Sequence, residues 1–224
     1  MNIGLFGGSF DPPHAGHLAL AQAGLEAAGF DEVWVIPANP VHRRLSGCAD
    51  GETRLGWMQQ LFADAPGIRV IDWEVRLPRP VPSVETLSRF AQEFPHDRAW
   101  LMLGTDAWRD FDSWREYPAH RALCNVAVFA RAGMDDLPQH AGWHRVDAPD
   151  AAQATGCWCY VPVSLPDISA TDLRRDAEAG HSLKGRVPEP IRSAVEAAYQ
   201  ARSQAFTAED AKYAEERHDY KDSG

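Results

Sequence analysis

The stretch Asn2-Ile3-Gly4-Leu5-Phe6-Gly7-Gly8-Ser9-Phe10-Asp11-Pro12-Pro13-His14-Ala15-Gly16-His17 decides how this chain folds. Its start, Asn2 to Gly7, is a short apolar run closed by glycines, the pattern of a strand buried on both faces. From His14 to Ala28 a segment with a small-residue face reads as a helix, and Gly29 stops it. Glycines just after a strand let the backbone approach a ligand, because no Cβ stands in the way. The helix that follows offers unpaired N–H groups and a partial positive charge, a site suited to phosphate. His14 and His17 flank Gly16 in its first turn, two imidazoles on one small segment of chain. Neither conventional phosphate loop fits, since Gly-x-x-x-x-Gly-Lys-Ser/Thr and Gly-x-Gly-x-x-Gly are both missing.

Outward from this unit the alternation continues. Val33 to Pro37 reads as a strand, a Pro/Asn/His/Arg loop runs from Ala38 to about Asp50, and Glu52 to Ala63 reads as a helix. Further strands are expected at Ile68 to Trp73, Ala99 to Gly104, Asn125 to Arg131 and Trp158 to Val163. Helices are expected at Ser83 to Phe94, Ser169 to Ala179 and Pro190 to Ala201, and Met134 to Gly156 reads as an irregular surface excursion. The alternation predicts an α/β fold, a doubly wound, Rossmann-like parallel sheet with helices on both faces and ligands at the carboxyl ends of its strands. Residues 1–203 are expected to form a single domain, and 204–224, charged and poor in apolar residues, a helical or disordered extension.

The 224 residues suffice for a substantial core, and 45% hydrophobic with 24% charged is a globular composition. A net charge of -10 argues against nucleic acid or an anionic membrane as partner, so phosphates must meet a local basic cluster. No apolar run is long enough to span a bilayer, and the start lacks a signal segment, so a cytoplasmic setting is expected. Cys48, Cys124, Cys157 and Cys159 form no Cys-x-x-Cys pair; reduced thiols are the plain expectation, with zinc the alternative for Cys157 and Cys159. No oligomeric state is legible.

A second motif, Ile168-Ser169-Ala170-Thr171-Asp172-Leu173-Arg174, opens a late helix. Ser169 and Thr171 are cap-type residues there, and Arg174 is a fork for phosphate. With Gly7 to His17 it resembles the paired signature of the His-x-Gly-His nucleotidyltransferase superfamily. The chain from Met1 to about Tyr199 is most similar to the bacterial nicotinate-nucleotide adenylyltransferases. Ile36 to Arg43, Leu103 to Ala107, Phe111 to Trp114, Phe129 to Gly133 and Leu183 to Ile191 carry the likeness onward.

The resemblance implies attack by the phosphate of nicotinate mononucleotide on the α-phosphorus of ATP, with pyrophosphate leaving and no covalent enzyme intermediate. His14 and His17 become the expected catalytic hydrogen-bond donors. Gly7, Gly8, Ser9, Phe10, Gly16, Arg43, Ser169, Thr171 and Arg174 become the expected ATP contacts. Ser83, Val84, Thr86, Asp106, Trp114, Arg115 and Arg131 become the expected mononucleotide contacts, with Trp114 stacking on the pyridine ring. Mg²⁺ is expected, held mainly by the ATP phosphates, with no protein metal site; Asp11 reads as a turn residue and Asp106 also as a helix N-cap.

Two places depart from the family pattern. Pro82 stands where an aromatic residue is usual, with the hydroxyl surviving as Ser83, and Arg115 stands where another aromatic is frequent. A cation at Arg115 would favour the acid over the amide. Rival readings are a nicotinamide-mononucleotide, pantetheine-phosphate or glycerol-phosphate nucleotidyltransferase, an inactive nucleotide-binding regulator, and, more remotely, a dehydrogenase.

Overall fold

The computed structural model describes residues 1–38, 48–131, 133 and 136–201 of the chain. Its strands are β1 (Asn2–Gly8), β2 (Glu32–Pro37), β3 (Ile68–Val70), β4 (Arg98–Gly104), β5 (Asn125–Arg131), β6 (His144–Val146) and β7 (Cys157–Val163). They form one seven-stranded sheet in the order β3-β2-β1-β4-β5-β7-β6, and every pairing is parallel. The helices are α1 (Ala15–Glu26), α2 (Gly51–Leu61), α3 (Ser83–Glu93), α4 (Thr105–Arg109), α5 (Tyr117–Leu123), α6 (Ala170–Glu178) and α7 (189–201). The expected doubly wound α/β sheet is therefore the fold.

Alternation along the strands sorts side chains to two cores. Val33 and Val35 pack with Phe6, Trp100 and Met102, under Leu20 and Ala21 of α1 and Met58 of α2. Trp34 and Ile36 face the other way, with Ile3, Leu5 and Leu101, under Leu87 and Phe90 of α3. Gly4 and Gly24 allow β1, β4 and α1 to close up. A Cβ on Gly4 would meet Phe30 at 2.5 Å, and one on Gly24 would meet Val33 at 2.7 Å. A third cluster joins Trp57 of α2 to Leu173 and Ala177 of α6 and to Ile191, Val195 and Tyr199 of α7. That cluster brings the end of the chain back beside its beginning.

From β1 the chain winds outward through β2 and β3, then returns to place β4 on the other side of β1. The topological switch lies between β1 and β4, and a crevice opens at their carboxyl ends.

Two expectations need correction. β3 stops at Val70, because residues from Asp72 onward turn, with the Arg76 amide donating to the Asp72 carbonyl at 3.2 Å and that of Leu77 to Glu74 at 3.1 Å. The excursion from 134 to 156 contains edge strand β6, and it buries Trp143 and His140 against Trp108. Three mixed residues show no period that a sequence pattern can reveal. No disulfide joins the four cysteines, and burial pushes the Cys159 thiol up to about 12, which disfavours the thiolate a zinc ion needs. Among the described residues no three His, Cys, Asp or Glu side chains are grouped to hold a metal, and no helix is long and apolar enough to cross a membrane. The expected extension at 204–224 lies outside the described residues.

Candidate active site

A cleft of about 820 Å³ occupies the crevice at the switch point. Gly7, Gly8, Ser9 and Asp11 line one part of it, and Ala170, Thr171 and Arg174 from the start of α6 join them. Among the described residues Gly7 faces open space, with no atom within 4 Å of where a Cβ would sit. A ligand can therefore lie directly on the backbone there. The two motifs, far apart in sequence, meet: the Arg174 Nη1 donates to the Asp11 carbonyl oxygen at 2.6 Å. Its Nη2 donates to the Thr171 Oγ1 at 3.1 Å. Ser169 is the N-cap of α6, its Oγ accepting from the Asp172 amide at 3.3 Å. Thr171 thus steadies Arg174 and does not share the capping role expected of it.

Asp11 is more than a turn residue. Its carboxylate is buried, and Oδ1 accepts from the Ala49 amide at 2.9 Å and the Tyr199 hydroxyl at 2.6 Å. The Arg174 Nη1 lies 3.9 Å from Oδ2. One side chain thereby ties the first loop to the segment before α2, to α6 and to α7.

The two histidines stack, with ring centroids 3.6 Å apart and planes 24° from parallel. The His17 Nδ1 accepts from the His14 backbone amide at 3.3 Å, so its proton sits on Nε2 and only that nitrogen can donate. The His14 Nδ1 is buried without a hydrogen-bond partner among the described residues. Burial holds the His14 pKa down to about 4. Burial, and then the neighbouring His14, hold His17 well below its ordinary range. Both rings are neutral at pH 7. Neither ring is among the side chains that line the cleft. Gly16 permits this packing, because a Cβ there would stand 3.1 Å from the His14 ring and 3.4 Å from the Pro166 carbonyl oxygen.

Phe10 departs from its expected contact with ATP. It is buried, edge-on to Phe6 at 5.1 Å and to His17 at 4.9 Å, and works as packing behind the loop. Arg43 lies outside the described residues.

The other part of the cleft is lined by Glu74, Pro82, Ser83, Trp114 and Arg115. Trp114 leans edge-on to Phe111 at 5.2 Å, and offers the cleft a flat apolar surface. The Arg115 side chain is 74% exposed, with Nε 3.6 Å from Glu116 Oε1. The Ser83 Oγ lies 2.8 Å from the His120 Nε2. Val84 and Thr86 are buried on the inner face of α3 and do not line the cleft. Asp106 stands 3.6 Å from Arg109 with its side chain 98% exposed. It is not the helix N-cap, a position taken by Gly104. Arg131 is the last residue of β5.

Three contributors escaped the sequence reading. Arg54 is buried in α2 and donates to three carbonyls, Ala49 at 3.1 Å, Ser9 at 2.5 Å and Ala38 at 2.7 Å. Its position on the same helical stripe as Trp57 and Met58 was the available signal. Glu74 is buried at the cleft wall, where its Oε1 accepts from the Thr86 hydroxyl at 2.7 Å and burial pushes its pKa up to about 7. His120 is fully buried, and no local pattern marks it.

A parallel sheet with a glycine-lined crevice at its switch point, closed by an arginine fork, defines a nucleotide-binding α/β protein. The family model described as cytidylyltransferase-like matches residues 5–176. A protein of Geobacter metallireducens named as a probable nicotinate-nucleotide adenylyltransferase is 34% identical, over 85% of this chain and 94% of its own. A Bacteroides fragilis protein of the same name is 39% identical, over 81% of this chain and 84% of its own. The chain belongs to the cytidylyltransferase-like family and, among its members, to the nicotinate-nucleotide adenylyltransferases. Its fold is that of the Plasmodium falciparum nicotinic acid mononucleotide adenylyltransferase solved with NaAD. The TM-score is 0.66 at 16% identity, over 90% of this chain and 97% of that one.

Proposed function

We propose that this cleft transfers AMP from ATP to nicotinate mononucleotide, giving deamido-NAD and pyrophosphate in NAD biosynthesis. The observation that carries this reading is the meeting of the two motifs, with the Arg174 guanidinium on the Asp11 carbonyl at one end of a single cleft. The exposed backbone at Gly7, Gly8 and Ser9 receives the triphosphate, and from the side of α6 Arg174 neutralises it while the Thr171 hydroxyl steadies that guanidinium. The acceptor's pyridine ring lies towards Trp114, with Ser83 and Arg115 near its substituent.

In this arrangement the acceptor phosphate oxygen attacks the α-phosphorus in line as pyrophosphate departs. The protein supplies position and charge stabilisation, with no covalent intermediate. The His17 Nε2–H is the donor left free by the hydrogen bond at Nδ1, and it serves the charge that builds on the α-phosphate. His14 holds that ring in place by stacking.

A divalent cation, Mg²⁺ by expectation, supplies further charge neutralisation and arrives on the triphosphate. The Asp11 Oδ1 is committed to the Ala49 amide and the Tyr199 hydroxyl, and phosphate oxygens and water would be the main ligands of the ion. We place the chain in the cytoplasm, a setting that suits four reduced thiols and an ATP substrate.

The test is pyrophosphate release from ATP and Mg²⁺ with and without nicotinate mononucleotide. Release that requires the mononucleotide, with deamido-NAD formed in equal amount, is expected. Nucleotide binding without any turnover would instead mark a regulator.

A further inference from the structure

The part of the cleft nearest Trp114 carries a hydrogen-bonding device that the reaction as described does not use. Ser83, the first residue of α3, lines the cleft and directs its hydroxyl at His120, with 2.8 Å between Oγ and Nε2. His120 itself is sealed in α5, with none of its surface exposed. Its ring packs edge-on to Phe111 at 5.3 Å and Trp114 at 6.2 Å. The other ring nitrogen, Nδ1, lies 3.2 Å from the Tyr117 carbonyl oxygen.

A carbonyl can only accept, so the proton of the imidazole belongs on Nδ1 and Nε2 is left as an acceptor. Burial also pulls the His120 pKa below its ordinary value, which keeps the ring neutral at pH 7. Ser83 has a single hydroxyl hydrogen, and it is spent on Nε2. What the Ser83 side chain presents to the cleft is therefore two lone pairs and no donor.

We infer that His120 is a positioning residue for acceptor choice: by holding the Ser83 hydroxyl as an acceptor, it favours a ring substituent with N–H groups over a carboxylate. Nicotinamide mononucleotide is then a second acceptor, and discrimination for the acid is weaker than Arg115 alone would give. A carboxylate gains nothing from lone pairs, whereas a carboxamide donates to them. Glu74, another buried polar side chain on that wall, is turned to α3, its Oε1 accepting from the Thr86 hydroxyl at 2.7 Å. This inference rests on the adenylyl-transfer reading of the cleft.

The test compares kcat/KM for nicotinate and nicotinamide mononucleotides in the wild type, His120→Leu, Ser83→Ala and the double variant. Loss of the imidazole in His120→Leu would free the Ser83 hydroxyl to donate to a carboxylate. A hydrogen bond to a charged partner predicts an acid-to-amide ratio raised roughly tenfold through a lower KM for the acid, with kcat and the KM for ATP unchanged. Ser83→Ala is expected to raise the ratio by a different route, loss of amide turnover. In the Ser83→Ala background the His120→Leu change should then do nothing. An equal effect of His120→Leu with and without the Ser83 hydroxyl, or a folded variant with an unchanged ratio, would overturn the inference.

Because His120 is buried, ¹⁵N NMR of the wild-type imidazole provides an arm that needs no variant at that site. Protonated Nδ1 with an Nε2 resonance that moves in Ser83→Ala supports the device, and the opposite tautomer overturns it. Should the wild type turn over neither mononucleotide, the adenylyl-transfer reading fails, while the NMR arm still decides whether His120 orients Ser83.

Discussion

His17 shows how much a single hydrogen bond decides. Its Nδ1 is taken by the His14 amide, so one N–H remains to donate, and the proposed mechanism gives it to the reacting phosphate. His17→Ala should lower kcat by roughly a hundredfold, about 3 kcal/mol of transition-state stabilisation, with little change in the Kd for ATP. Single-turnover kinetics with separate ATP titration measures both, and an unchanged rate would remove the role assigned to His17. Glu74 makes a prediction about pH. Its pKa of about 7 in the folded chain exceeds the ordinary 4.5. The folded state binds that proton more tightly, so the contribution of Glu74 to stability is full below about pH 4.5, falls as pH rises to 7, and is level above. Glu74→Gln, which keeps an oxygen for the Thr86 hydroxyl, should gain roughly 2–3 kcal/mol relative to wild type between pH 4.5 and 8. Denaturant titrations at the two pH values test this, and parallel curves would contradict it. His14 acts with the opposite sign: its pKa of about 4 lies below the ordinary 6.5. Stability present above pH 6.5 is lost as pH falls towards 4.

At the scale of elements, the site depends on α2 and α7, which supply no expected substrate contact. Arg54 of α2 closes off the carbonyls of Ser9, Ala38 and Ala49 with one guanidinium. Arg54→Met removes that cation and strands buried acceptors, so a loss of roughly 3–5 kcal/mol in unfolding free energy is expected, with a raised KM for ATP. A variant as stable as the wild type would show the carbonyls have other partners. How much was legible in the sequence divides along the same line. β1, β4 and β5 were readable because continuous apolar runs between turn signals mark strands buried on both faces. The glycine loop and the Ser169–Arg174 turn were readable because each needs special residues at fixed spacing. β6 was not, being three residues long, and Thr171 was misjudged because a hydroxyl near a helix start serves the cap or a neighbour equally well. Phe10 was misplaced for a related reason: its position in a ligand loop says nothing of which way the ring turns, and it turned inward. Arg54, Glu74 and His120 act through contacts between distant segments, and one chain read along its length does not contain them.

Taken as a whole, the molecule folds its end back on its beginning. The third core cluster packs α6 and α7 against α2, and the Tyr199 hydroxyl reaches Asp11 at 2.6 Å, so the proposed phosphate site is built from both ends of the chain. A net charge of -10 leaves that task to local groups, and the exposed backbone of the first loop and the Arg174 fork are the ones at hand. The central claim is that these two segments grip one triphosphate. Calorimetric ATP affinity of Gly7→Ala measures it most directly, because a Cβ at Gly7 would touch no atom of the described residues and would stand where the ligand is held to lie. The account predicts binding weakened roughly tenfold or more in a normally folded variant, with Arg174→Ala weakening ATP as well. An ATP affinity equal to that of the wild type in Gly7→Ala would contradict it.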